Sequence, residues 1–394
     1  MKSITDLENL NNQIVLLRLD LNVPILDGKI TDTNRIDKII PTINFLLSKN
    51  AKIIIISHVG RPKGKFKNEL SLQLIRDNLT SQINQNVKLE KTNVFNLKKS
   101  ELFNDADEKI IILENIRFYP EEELNDLEFA KKIASFGDIF VNEAFSCSHR
   151  KHATVTNVTK FVDSYAGFLM ESEVTALDKL IKKVNEPLTC IIGGSKISTK
   201  IKVILNLIPK INNLIIVGGM ANNFLKFKEN EIGNSLYEKN FNSVISQIYS
   251  LAQKNSCNVL IPEDVKVGKH INDTSTSKFV KDISSDDQIL DIGERTILKI
   301  KSIIDKSKTV LWNGPAGYFE NLNFSEGSYE IANFISDKTL KGNLYSVIGG
   351  GDTVAVINKK KLFKNFSFVS TAGGAFLEYL EGKQLPGIKS LEND

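Results

Sequence analysis

Ten short runs of apolar, largely β-branched residues constrain this chain most, at 13–19, 52–57, 109–113, 138–142, 188–192, 213–217, 258–261, 309–312, 345–348 and 367–369. Most are apolar almost throughout rather than at alternate positions, the pattern of parallel strands buried on both faces. A Gly- or Asn-bearing turn typically follows, and amphipathic stretches lie between the runs, as at 72–83, 127–134, 197–207 and 238–254. Strand and helix alternating at this spacing argue for α/β units in doubly wound parallel sheets. Ligands in such sheets bind beyond the carboxyl ends of the strands. The turns after the runs are therefore where chemistry is expected.

At 394 residues the chain is long enough for two domains, each with its own core. A boundary is expected near Gly167. Residues 167–184 read as one long amphipathic helix, broken by Asn185-Glu186-Pro187. That helix either joins two halves as a stiff lever or packs within one of them. Residues 266–287 are polar and weakly patterned and read as loops with a minor hairpin. The net charge of +4, 51 basic minus 47 acidic residues, is too small to argue for nucleic acid. No apolar run approaches the roughly 18 residues that span a bilayer, and the start, Met1-Lys2-Ser3-Ile4-Thr5-Asp6, lacks a signal-peptide core. Cys147, Cys190 and Cys257 lie far apart with no CxxC spacing, which argues against a disulfide framework or zinc site and fits a reducing compartment. The expectation is a cytoplasmic protein without nucleic-acid or membrane partners. Cys147 adjoins a candidate site but is not read as a nucleophile.

In the first half, basic groups gather after the strand runs: Arg18-Leu19-Asp20-Leu21-Asn22, Ser57-His58-Val59-Gly60-Arg61-Pro62, Glu114-Asn115-Ile116-Arg117-Phe118 and Ser148-His149-Arg150. The planar guanidinium fork donates two parallel hydrogen bonds to a phosphate or carboxylate. Arg18, Arg35, Arg61, Arg117 and Arg150, with His58, His149 and His152 nearby, converge on one concavity if their strands are neighbours. Asp20 and Asn22 add groups that fix a hydroxyl. The alternative is that the arginines pair with Glu114 and Glu121–Glu123 and serve the fold. His149 and His152, three apart without carboxylate ligands close in sequence, make a weak metal site.

In the second half, glycine turns open helices. Gly193-Gly194-Ser195-Lys196 is followed by a helical pattern, and Lys196 and Lys200 are four apart, on one face of it, with Ile197, Ile201 and Ile204 on the other. Gly349-Gly350-Gly351-Asp352-Thr353 repeats the arrangement, adding a carboxylate suited to Mg²⁺ and a hydroxyl at the helix start; Ala372-Gly373-Gly374-Ala375 repeats it without charge. Such turns let backbone N–H groups approach a nucleotide's phosphates; close packing of strand on helix is the other account. Neither GxxxxGK[ST] nor GxGxxG occurs at these turns, which excludes a P-loop enzyme and counts against a dinucleotide-dependent dehydrogenase. The protein-kinase motif set is also missing. Residue chemistry thus leads to a two-domain α/β phosphotransferase of a less common type.

The same motifs, in the same order, resemble those of the phosphoglycerate kinase family: Leu17-Arg18-Leu19-Asp20-Leu21-Asn22-Val23-Pro24, then 57–62, 113–118, 141–150, 193–200, 311–320, 349–353, 370–375 and Leu385-Pro386-Gly387. The likeness runs from about residue 13 to 388. The resemblance implies two doubly wound, Rossmann-like α/β domains joined by a long helix, with a cleft between them. It implies an N-terminal substrate domain at 1–167, the helix at 168–187, a nucleotide domain at 188–375, and a tail at 376–394 returning to the N-terminal domain. It further implies a monomer that moves the acyl phosphate of 1,3-bisphosphoglycerate to MgADP, reversibly, giving 3-phosphoglycerate and MgATP.

Carried over by motif, Asp20, Leu21, Asn22, Arg35, His58, Val59, Gly60, Arg61, Arg117 and Arg150 are implied to hold the glycerate substrate. Gly194, Lys196, Lys200, Gly218, Gly219, Asn313, Pro315, Glu320, Gly350, Gly351, Asp352 and Thr353 are implied to hold the nucleotide, with Asp352 beside Mg²⁺ and Glu320 on the ribose. Arg35, Lys196, Gly351 and Gly374 are implied to stabilise the migrating group. Five positions depart from the family's commonest pattern: Thr199 and Glu143 stand where Asp is frequent, Val217 and Ala372 where Gly is, and Glu294 where Pro is. Another phosphotransferase, or a non-catalytic two-lobed nucleotide- or metabolite-binding protein, is the rival reading.

Overall fold

The computed structural model describes residues 1–105, 107–182 and 184–392. They form two compact units: Met1–Thr175 together with the stretch from Gln384, and Ala176–Lys383. The division falls inside the helix Phe168–Ile181. The helix expected over 167–184 therefore stops earlier, and Lys183 within that expectation lies outside the described residues.

The first unit is built on a six-stranded parallel sheet in the order Val87–Glu90, Ile110–Leu113, Lys52–Ile56, Ile14–Arg18, Ile139–Asn142 and Asp163–Ala166. Alternate residues of its central strands feed opposite cores. Val15, Leu17, Ile53, Ile55 and Val141 pack with Ile43, Leu46, Ile75 and Leu79 of two helices, Ile40–Ser48 and Gln73–Ile83. Leu16, Ile54, Ile56 and Phe140 pack with Phe129, Ala130 and Ile133 of the helix Leu127–Ala134. Burial on both faces is why these runs are continuously apolar. Arg18 is in register with Ile56 on one side and Asn142 on the other, so three strands end level and their following residues emerge side by side.

The second unit repeats the plan, in the order Asn258–Leu260, Asn213–Ile216, Leu188–Ile192, Thr309–Asn313, Tyr345–Gly349 and Phe368–Ser370, again all parallel. Asn313 is level with Ile192 and Gly349. Residues 266–287 hold the expected hairpin, Asp264–Gly268 paired antiparallel with Thr276–Phe279, and Gln288–Ile292 pairs on its other side to make a three-stranded sheet. Its small core of Val265, Val267 and Ile283, with Ile289 packed against it, is spread over three chain segments, too thinly for a local pattern.

The C-terminal return begins later than residue 376. Gly374–Leu380 is a helix of the second unit, where Asn206 Nδ2 donates to Leu380 O at 2.7 Å. Beyond Gln384, Gly387 N–H donates to Ser148 O at 2.9 Å, and Leu385, Ile388 and Leu391 are buried. Asn393 and Asp394 of the expected tail lie outside the described residues. The start of Phe168–Ile181 is held by Glu143, whose carboxylate accepts from Leu169 N at 3.2 Å, Met170 N at 2.9 Å and the Thr42 hydroxyl. A Cβ on Gly167 would come within 2.2 Å of Glu143 Cδ, so a glycine is required there. Burial pushes the Glu143 carboxyl up to about 7. No helix among the described residues is long and apolar enough to cross a membrane.

Candidate active site

In the first unit the level strand ends bring Asp20, Ser57, His58 and Glu143 into adjacent turns. Arg35, from the short helix Asn34–Asp37, donates from Nη1 to Asp20 Oδ2 at 2.7 Å and to Asn22 O at 3.0 Å. The same Asp20 oxygen accepts the Ser146 hydroxyl, and Oδ1 accepts Asn22 N–H at 3.1 Å. Burial alone would raise the Asp20 pKa, but Arg35, His58 and the Ser146 hydroxyl together hold it below the usual carboxylate value. His58 Nε2 is 4.0 Å from Asp20 Oδ1. Burial drives the His58 pKa well down, with Arg18, Arg117 and Arg35 adding to it against the pull of Asp20, so the imidazole is neutral at pH 7.

A second strand of contacts continues from Asn22. Gly60 N–H donates to Asn22 Oδ1 at 2.8 Å, and Arg117 Nη1 donates to Gly60 O at 3.2 Å. Asn115, buried behind them, ties Val59 O at 2.8 Å and Leu70 O at 2.9 Å, and caps the turn that carries Arg117 by accepting its N–H at 3.1 Å. Arg150 is near enough to depress Arg117 and His152 electrostatically. Asp20, Asn22, Arg35, His58, Gly60, Arg117 and Arg150 thus form one positive cluster. Arg61 is exposed after Gly60. The side chains of Leu21 and Val59 belong to the core.

Arg18 serves the fold instead. It is fully buried; Nε donates to Thr154 Oγ1 at 2.9 Å and Nη2 lies 3.7 Å from Glu122 Oε1. Thr154 returns its N–H and hydroxyl to Glu122 at 2.9 and 2.7 Å. For Arg18 the carboxylate-pairing alternative holds, and it holds in part for Arg117, whose Nε lies 3.5 Å from Glu123 Oε1. His152 is driven to about 3 by burial and the surrounding arginines, so it is neutral beside Glu122. Asp20, His58 and Cys147 present ligand atoms within 4.8 Å of one another, the one such group among the described residues. Both Asp20 oxygens are already engaged and arginines surround the group, which makes it a site for anions rather than cations.

In the second unit three strand-end turns interlock. Gly193 N–H donates to Asn313 O at 2.9 Å, Gly194 N–H to Pro315 O at 3.1 Å, and Gly218 N–H to Ala316 O at 3.0 Å. A Cβ on Gly193 would lie 2.3 Å from Pro315 O, so this glycine exists for close packing. Gly350 differs: its φ of 95° is one that side chains rarely adopt, and it opens the helix Gly351–Lys359. Asn313 donates to Gly349 O at 2.7 Å and accepts from Lys200 Nζ, while buried Thr353 accepts Gly314 N–H at 2.7 Å. Burial lowers Lys200 to about 8 against the pull of Asp352. Gly374 is exposed at the start of its helix, after Gly373 at φ 55°.

Lys196 and Lys200 do not share one helix face. Ile197–Thr199 is a 3₁₀ turn and the α-helix begins only at Ile201. Lys200 N–H bonds Ile197 O, Thr199 Oγ1 bonds Lys196 O at 2.9 Å, and Ser198 gives its N–H and hydroxyl to Glu238 at 2.9 and 2.7 Å. These local bonds replace the first α-helical turn. Lys196 is left exposed at the turn and Lys200 points inward to Asn313.

A cavity of about 440 Å³ opens at these turns, a volume suited to a small ligand. Gly194, Ser195, Gly218, Gly219, Pro315, Glu320 and Asp352 line it, with Ala221, Asn222, Leu225, Leu236, Pro262 and Val265. Lys196, Lys200, Asn313, Gly350, Gly351 and Thr353 are not among its lining residues. Ser146, Asn115, Glu238 and Asn222 were not foreseen as participants, and Glu122 only as a carboxylate partner of the arginines. Asn115 and Ser146 sat inside noticed motifs; the contacts of Ser146 and Glu238 cross long sequence separations that leave no local signal.

Two parallel-sheet units, one with an arginine-rich anion cluster and one with a glycine-lined cavity, define the class of nucleotide-dependent phosphotransferases. A family model described as phosphoglycerate kinase matches residues 4–383. The phosphoglycerate kinase of Wolbachia pipientis wMel is 46% identical over 395 residues, covering 99% of each chain. That of Orientia tsutsugamushi strain Ikeda is 43% identical, covering 96% of this chain and 94% of that one. The solved phosphoglycerate kinase of Coxiella burnetii superposes with a TM-score of 0.90 at 38% identity, covering 99% of this chain and 98% of that one. The chain belongs to the phosphoglycerate kinase family.

Proposed function

We propose that this chain moves the acyl phosphate of 1,3-bisphosphoglycerate to ADP, giving 3-phosphoglycerate and ATP, and that it runs the reverse reaction too. The observation that carries this reading is the presence of two unlike anion sites on one chain: arginine forks with a neutral His58 around Asp20, and a glycine-lined cavity beside Lys196 and Lys200. A non-catalytic binding protein for one metabolite needs only one of them.

In this reading Asp20, Asn22, Arg35, His58, Arg61, Arg117 and Arg150 hold the glycerate and its phosphates. Phosphoryl transfer asks for positioning and charge stabilisation more than covalent help. Lys196 and Arg35 supply positive charge to the migrating oxygens, with backbone N–H groups at Gly351 and Gly374. The attacking atom is an oxygen of ADP or, in reverse, of a carboxylate; both are already ionised, so no general base is needed. Asp352, exposed on the cavity wall, suits Mg²⁺, which binds through one or two carboxylates plus phosphate oxygens and water. Bound there, the ion offsets phosphate charge. Glu320 accepts from the ribose hydroxyls.

We read the enzyme as a cytoplasmic monomer. Each ligand belongs to a different unit, so transfer requires a hinge movement that unites them and excludes water. Small-angle scattering should show compaction with both ligands beyond that with either. The decisive assay is ATP formation from 1,3-bisphosphoglycerate and ADP, with and without Mg²⁺. No ATP in either case removes the reading.

A further inference from the structure

Lys196 is exposed, and nothing among the described residues hydrogen-bonds or ion-pairs with its ammonium, so the charge is placed by the backbone that carries it. That backbone has no α-helical ladder, because 197–199 form a 3₁₀ turn and the α-helix starts at Ile201. The Ser198 N–H is one of the donors that a helix start leaves without an intrahelical partner. Glu238, 40 residues on, accepts it through Oε2 at 2.9 Å and accepts the Ser198 hydroxyl through Oε1 at 2.7 Å. One carboxylate thus holds one residue by two bonds. Glu238 is itself fixed by buried Asn223 of the helix Ala221–Phe227: Nδ2 donates to Glu238 O at 2.6 Å, and Oδ1 accepts Glu238 N–H at 3.3 Å. Burial alone would raise the Glu238 pKa, but the two Ser198 donors and the Lys196 charge hold it below the usual carboxylate value, so the clamp is ionised at neutral pH.

Resting on the reading of Lys196 as the charge that meets the migrating phosphoryl, we propose that Glu238 is a positioning residue of the transfer. It works through Ser198 rather than on the substrates. By holding the Ser198 peptide it sets the direction in which the Lys196 stem leaves the turn. The stem is a flexible four-carbon chain and adds its own freedom to any freedom of the backbone. A loose turn would spread the ammonium over many positions, few of them productive, and a misplacement of about 1 Å can cost about 10²-fold in rate. The substrates are held by other groups in the proposed function, so loosening this turn slows the transfer without weakening their binding. A clamp that served only the fold would change stability and leave kcat alone.

The test is steady-state kinetics of Glu238→Ala, Glu238→Gln and Ser198→Ala, with Glu238→Ala also made in a Lys196→Ala background. Glu238→Ala should lose roughly tenfold or more in kcat, with KM for ATP and for 3-phosphoglycerate changed less than about twofold. Glu238→Gln should recover most of the loss, because its carbonyl oxygen accepts the Ser198 N–H and its amide donates to the hydroxyl. Ser198→Ala changes an exposed side chain, so folding is not at stake; it keeps the N–H bond and should fall between wild type and Glu238→Ala. In the Lys196→Ala background Glu238→Ala should have little further effect, since a residue that acts through Lys196 then has nothing to position. A kcat within about twofold of wild type for both Glu238→Ala and Ser198→Ala would overturn the proposal, and so would equal losses with and without Lys196. If Lys196→Ala alone keeps the wild-type kcat, the reading of Lys196 falls, and this inference with it.

Discussion

Arg35 Nη1 sits 2.7 Å from Asp20 Oδ2 and 3.0 Å from Asn22 O, so one nitrogen of the fork is pinned by two acceptors from the turn after the first strand. The carboxylate that pins it is itself fixed by Ser146 and by Asn22 N–H. This chain of contacts sets the guanidinium plane before any ligand arrives. Lysine could satisfy Asp20 but could not also present a planar pair of donors. Arg35→Lys should therefore weaken 3-phosphoglycerate by roughly tenfold or more, and Arg117→Lys and Arg150→Lys should weaken it as well. Titration with 3-phosphoglycerate checks this. Superimposable curves for all three variants would leave the arginines with the fold alone.

Lys196 has a different character from Lys200. It is exposed at the glycine turn, and the turn is held from behind by Glu238 through Ser198. In the proposed reaction its ammonium acts on the migrating phosphoryl. Lys196→Ala should lose roughly 10²–10³ in kcat with little change in ADP affinity. Steady-state kinetics beside calorimetry separate the two quantities. A kcat within twofold of wild type would remove Lys196 from the reaction.

The central strands were legible because burial on both faces leaves an uninterrupted apolar run, as in Ile53-Ile54-Ile55-Ile56. The edge strands of the first sheet were not: Val87–Glu90 alternates in character, and Asp163–Ala166 buries only its last residue. The antiparallel strand Thr276–Phe279 is polar and mostly exposed, held by pairing with Asp264–Gly268 rather than by its own hydrophobicity. At the candidate site the strand-end motifs were readable as local sequence. The groups that orient them were not, because Ser146 meets Asp20 across 126 residues and Thr154 meets Arg18 across 136. The same distance effect reassigns Arg18 from ligand to scaffold.

That reassignment can be tested on stability. Arg18 and Glu122 are both fully buried, and removing one partner leaves the other charge without compensation. Arg18→Ala should cost about 3–5 kcal/mol, read from chemical denaturation. Arg18→Met with Glu122→Gln together should recover part of the loss, because neither charge then remains buried. Equal stability of wild type and Arg18→Ala would contradict the pairing.

If Lys200 meets the nucleotide's phosphates as proposed, ADP binding should depend on pH above neutrality. Burial holds its folded-state pKa at about 8, with Asp352 pulling in the other direction. Below that value the ammonium is charged in the free protein. Phosphates bound nearby favour the charged form and raise its pKa, so above pH 8 binding must take up a proton. Affinity is then fully present below about 8 and falls as pH rises past it, by up to about tenfold per unit. Titrations at pH 7 and 9.5 should show weaker ADP at the higher pH, and at that pH the apparent enthalpy should vary with the buffer's ionisation enthalpy. Arg stays protonated throughout this range. Lys200→Arg should therefore flatten the profile even if its larger head, crowding Asn313, lowers affinity overall. A wild-type dissociation constant unchanged between the two pH values would show that Lys200 does not meet the phosphates.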